Sequence, residues 1–107
     1  MNNVRTTKFR EPLPAELLER MAAALGVLAH PHRLRIIEIL EQNGELPVHQ
    51  VTKNMDVEQA VASHHLGRMR AAGLLGCERR KKEMWYRIAD PSSLTILDCI
   101  RKKRSQA

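Results

Sequence analysis

Apolar side chains recur at helical spacing through most of the chain and then switch to short alternating runs near residue 75. Leu17, Leu18, Met21, Leu25 and Leu28 predict a first helix, with Pro14 at its first position and an end near residue 28. Pro31 opens a second helix through about residue 42, in which Leu34, Ile37 and Leu40 share a face; Asn43-Gly44 ends it. Pro47 starts a third helix through about residue 54, followed by a turn at Met55-Asp56-Val57. Asp56 and Gln59, three residues apart, form the expected capping box of a fourth helix that stops near Gly73. Two strands follow, 74–79 and 84–88, joined by the cationic turn Arg80-Lys81-Lys82-Glu83. Asp90-Pro91 supplies an N-cap and first residue for a last helix striped by Leu94, Leu97 and Ile100. Residues 1–12 are polar and expected as a flexible arm, leaving 13–104 as a single domain. The expected fold is mainly α with a small β-hairpin: two helices joined by a tight turn and followed by a wing, a winged helix-turn-helix.

The fourth helix is the most informative segment. Stepping about 100° per residue from Ala62 brings Leu66 and Met69 to one side. Ala60, Ser63, His64 and Gly67 then face outward, with Arg68 on the flank and His65 on the inner flank as a packed, hydrogen-bonded residue. A thin apolar back and a small, polar, cationic front suit the major groove of DNA. Ser63 and His64 are placed to bond base edges or phosphates, Gln59 to read an adenine, Ala60 to touch a thymine methyl and Arg68 to grip a phosphate. Arg79, Arg80, Lys81 and Lys82 stand at the hairpin, where they can follow phosphates or enter a minor groove. Arg87 belongs either to that contact set or to a surface ion pair. The competing assignment for each is a solvated charged face.

Composition narrows the picture. Eighteen Lys+Arg against twelve Asp+Glu give a net charge of +6, which fits a polyanionic partner. Phe9, Trp85 and Tyr86 are the only aromatics, too few for a platform that stacks single-stranded bases. Cys77 and Cys99 make no disulfide framework and look cytosolic. The apolar run 21–29 is too short to span a bilayer, and Arg5, Lys8 and Arg10 lie in no signal-peptide pattern. A soluble, cytoplasmic protein is expected. No glycine-rich phosphate loop, nucleophile elbow or His-Glu-x-x-His occurs, so no enzymatic activity and no cofactor are expected.

Four segments carry a family resemblance: Leu28-Ala29-His30-Pro31-His32-Arg33-Leu34-Arg35-Ile36, Val61-Ala62-Ser63-His64-His65-Leu66, Ala71-Ala72-Gly73-Leu74-Leu75 and Trp85-Tyr86-Arg87-Ile88-Ala89-Asp90-Pro91. Together they resemble the arsenical-resistance repressor (ArsR/SmtB) family of winged-helix regulators over about residues 25–97. The resemblance implies a homodimer held by the first and last helices, here Leu17, Leu18, Met21, Leu25, Leu94, Leu97 and Ile100. It also implies a repressor that leaves a double-stranded operator when an effector binds. This chain departs from the family's metal chemistry. The helix-three cysteine motif reads Glu45-Leu46-Pro47-Val48-His49-Gln50-Val51, and residues 92–103 contain Asp98 but no histidine.

His30, His32 and His49 are the remaining metal constellation, and no third converging ligand can be read from the sequence, so no metal site is expected. Cys77 and Cys99 are candidates for redox sensing, with small core residues as the alternative. A rival function is a protein-interaction module whose basic face docks an acidic partner without reading DNA sequence. Against it, the outward residues of the fourth helix are small and polar, unlike the aromatic anchors of a protein hot spot.

Overall fold

The computed structural model describes residues 11–106. Of the polar arm expected over residues 1–12, all but Glu11 and Pro12 lies outside the described residues. The order is α1 (Ala15–Leu28), α2 (Pro31–Asn43), β1 (Glu45–Pro47), α3 (Val48–Met55), α4 (Gln59–Ala71), β2 (Leu75–Arg80), β3 (Glu83–Ile88) and α5 (Ser92–Gln106). The strands form one antiparallel sheet in the order β1-β3-β2. Among the described residues no helix is long and apolar enough to cross a membrane.

Local chemistry accounts for the boundaries. Pro14 is the N-cap of α1, with φ −60° and ψ 137°, and stands outside the helix. It was expected one position further in, at the first helical residue. At α2, Pro31 follows an N-cap in which the His30 ring accepts a hydrogen bond from the His32 amide. Gly44 ends that helix at φ 82°, a conformation glycine adopts without the Cβ penalty.

The turn between α3 and α4 departs from expectation. Asp56 takes the left-handed conformation, φ 59° and ψ 48°, and its amide bonds the Thr52 carbonyl at the end of α3. A residue so placed cannot also adopt the extended backbone of an N-cap. Glu58 holds that position for α4, without a side-chain cap, and the Asp56–Gln59 capping box does not form. At α5 the expected Asp90 cap bond forms, although the helix starts at Ser92 and not at Pro91. Asp90 Oδ1 accepts from the Ser92 amide at 3.0 Å and from its hydroxyl at 2.6 Å.

One core unites the helices and the sheet. Ile36, Ile37 and Leu40 of α2, Val51 of α3 and Leu66 and Met69 of α4 are fully buried. Leu28, Leu74, Leu75 and Leu97 complete the cluster. Burial of each such side chain contributes roughly 1.5–3 kcal/mol, and α2, α3 and α4 supply most of the cluster. Leu97, expected at the dimer contact, is 7% exposed and packs inside its own protomer. Arg101 ties α5 to α2 by bonding Glu41, at 2.5 Å, and Asp98. That bond holds the Glu41 carboxyl below its ordinary value.

Candidate nucleic-acid interface

Helix α4 is divided sharply between its two sides. Ala62, Leu66 and Met69 have no exposed surface, while Gln59, Ala60, Ser63, His64, Gly67 and Arg68 are all exposed. The buried row locks the helix to the core and so orients the polar row. A Cβ added at Gly67 would meet nothing within 4 Å. No contact inside the protomer therefore requires glycine there, although glycine costs a helix interior roughly 0.5–1 kcal/mol relative to alanine. Arg70, exposed in the last turn, adds a cation to this side that helical periodicity did not single out.

His65 anchors the inner flank. Its Nδ1 accepts from Arg33 Nε at 3.1 Å, and its Nε2 stands 3.3 Å from His32 Nδ1. Arg33 also donates to the Val27 carbonyl at 2.9 Å, so one guanidinium links α1, α2 and α4. Burial first, then the neighbouring His30 and Arg33, push the His65 imidazole below its ordinary pKa and favour the neutral ring. Sequence spacing put His65 on this flank but carried no sign of its partners on α2.

The wing differs from the sequence expectation in detail. Its tip is the two residues Lys81-Lys82, with Lys81 at φ 56°, and Arg79 and Arg80 belong to β2. Lys81, Lys82 and Arg79 are exposed. Arg80 is not a free cation. It bonds Glu45 at 2.8 and 3.0 Å, bonds Glu78 at 3.3 Å and lies 4.8 Å over the Trp85 ring. It therefore braces the wing against β1. Arg87 is exposed, with its guanidinium against Gly76 of the neighbouring strand.

His49 pairs with Glu83 at 3.0 Å, joining α3 to the tip end of the wing. It does not join the constellation expected with His30 and His32; the third histidine there is His65. Cys77 is half-buried opposite Tyr86, and Cys99 is exposed on α5, both as free thiols.

A different face is apolar. Leu18 and Leu25 on α1 and Ile100 on α5 are 51%, 44% and 44% exposed. Leu25 and Leu28 border an apolar groove shared with Leu34 and Ile96. Leu17 and Met21 are half-buried beside this stripe, and Leu94 packs partly against the core.

A family model described as a helix-turn-helix domain matches residues 28–77. The chain is 33% identical over 91 residues to the biofilm growth-associated repressor of Agrobacterium fabrum, covering 83% of this chain and 77% of that protein. It is 35% identical over 82 residues to the transcriptional repressor SmtB of Mycobacterium tuberculosis, covering 77% of this chain and 60% of that longer relative. The fold superimposes on the homodimeric winged helix-turn-helix DNA-binding domain of a possible ArsR-family regulator from Mycobacterium bovis. The TM-score is 0.73 at 25% identity, covering 91% of this chain and 89% of that one.

Proposed function

Because the chain belongs to the ArsR/SmtB family of DNA-binding transcriptional regulators, we propose that it is a cytoplasmic dimeric repressor whose α4 helices enter successive major grooves of an operator. The observation that carries this reading is the two-sided α4, buried along Ala62, Leu66 and Met69 and open along Gln59, Ser63, His64 and Gly67. Gln59, Ser63 and His64 supply direct readout, Ala60 an apolar contact, and Arg68 a phosphate contact. Lys81, Lys82, Arg79 and Arg87 supply salt-dependent attraction to the backbone. Arg80 acts one step back, by holding the wing in position. Leu18, Leu25 and Ile100 meet their symmetry mates across the two-fold axis, covering an apolar stripe that a monomer would leave in water.

Fluorescence anisotropy on a labelled operator and a scrambled duplex tests the assignment. Ser63→Ala is expected to narrow the gap between the two duplexes by roughly 1–3 kcal/mol. Removal of the Lys81 and Lys82 charges is expected to weaken both equally and flatten the salt dependence. If neither change affected binding, α4 and the wing would not be the interface.

A further inference from the structure

Two helices bring three imidazoles together at the back of α4. His30 and His32 flank Pro31 at the start of α2, and His65 projects from α4 onto them. One ring nitrogen of each lies within 4.8 Å of the other two. We propose that His30, His32 and His65 form a binding site for a late first-row divalent transition metal, with Zn²⁺ as the simplest occupant, that joins α2 to the recognition helix. This site lies apart from the helix-three and last-helix positions whose ligands the chain lacks.

The spacing supports ligation. Two nitrogens on a tetrahedral zinc, each about 2.0–2.1 Å from the ion, stand about 3.3–3.4 Å apart. His32 Nδ1 and His65 Nε2 are 3.3 Å apart. The His30 ring centroid is 4.5 Å from that of His65 and 5.3 Å from that of His32, with one ring nitrogen within 4.8 Å of both partners. Three neutral imidazoles suit zinc, nickel, cobalt or copper, and exclude magnesium and calcium, which want oxygen ligands. Water fills the fourth position.

Besides the bond between His32 Nδ1 and His65 Nε2, two further bonds must be exchanged, which makes the site conditional. Arg33 donates to His65 Nδ1, so the neutral ring carries its proton on Nε2. Ligation through Nε2 moves that proton to Nδ1 and displaces Arg33, which keeps its bond to the Val27 carbonyl. The His30 ring accepts the His32 amide through Nδ1, so ligation through its Nε2 also loosens the α2 cap. Metal loading thus repacks the anchor of α4 one residue from the outward-facing His64. The effect on DNA, unlike metal binding itself, rests on the function proposed above.

The first test is calorimetric titration of the 107-residue chain with Zn²⁺, paralleled by the visible spectrum with Co²⁺. One ion per protomer and a tetrahedral cobalt spectrum are expected. His30→Gln and His32→Gln, at partly exposed positions that spare the core, should each weaken binding tenfold or more. His49→Gln should leave it unchanged. Absence of binding, binding that survives the His30→Gln/His32→Gln double variant, or binding that vanishes in Cys77→Ser or Cys99→Ser would overturn the site. In a second arm, Zn²⁺ should change operator affinity severalfold for the wild type and not for the double variant. Zinc bound without that change overturns the coupling alone. Failure of wild type to bind any duplex, with zinc still bound, counts against the DNA reading instead.

Discussion

Replacing Gly67 with alanine separates what α4 does for the fold from what it does for DNA. The residue lies in the interior of a thirteen-residue helix, on its exposed side, and an added Cβ meets no atom within 4 Å. Nothing must move to admit the methyl group, so the change acts through backbone entropy and raises stability by about 0.5–1 kcal/mol. For a domain of this size each kcal/mol shifts Tm by about 4–8 °C, so a rise of roughly 2–8 °C is expected. The same methyl group stands on the surface assigned to the major groove. Intruding there costs roughly 1–3 kcal/mol if it behaves as an overpacked contact, a loss of about 5- to 150-fold in operator affinity. Melting followed by circular dichroism at fixed protein concentration, since association shifts Tm, gives the first number. Anisotropy on the operator gives the second. A lower Tm would refute the packing argument. A raised Tm with unchanged affinity would mean that DNA does not approach this face.

Three further changes test other parts of the structure. Asp56→Gly should raise the urea midpoint by the equivalent of about 0.5–1 kcal/mol, because the native φ of 59° is strained for a residue with a Cβ; a lower midpoint would contradict this. Asp90→Ala should cost about 1 kcal/mol near neutral pH through loss of the α5 cap. Since the Ser92 hydroxyl and amide hold the Asp90 carboxyl below its ordinary value, that contribution is complete above about pH 4 and disappears as pH falls through the folded value. Urea titrations should therefore show the gap between wild type and variant near neutral pH and its closure on acidification, and a gap that widened on acidification would contradict the cap. Leu25→Glu should shift the protein toward monomer in sedimentation while keeping its helical spectrum, and wild-type association would remove α1 from the dimer contact.

Helices α2 and α4 were legible because each buries an apolar row at a period the sequence displays; Ala62, Leu66 and Met69 are the clearest case. Strand β1 was not legible. Three residues ending in Pro47 show no alternation, and they become a strand only because β3 presents an open edge that pairs Leu46 with Tyr86. The α4 capping box failed for a local reason. Asp56 suits both an N-cap and a left-handed turn, and the end of α3 took it first. The wing's four-cation run hid a division of labour, since Arg80 has carboxylates and a ring to bind while Lys81 and Lys82 are exposed. Leu97 carried the same stripe signal as Ile100, and only its depth between α2 and α5 assigns it to the protomer core. The histidine cluster depends on the meeting of residues 32 and 65, a long-range contact that no spacing rule encodes.

The central claim, that two α4 helices read one operator, is tested most directly by selecting bound duplexes from a random pool and footprinting the protein on the winner. The account predicts an approximately palindromic sequence with two protected half-sites on one face, their centres about 34–36 Å apart, one turn of the double helix. Recovery of no preferred sequence, or of a single unpaired half-site, would contradict it.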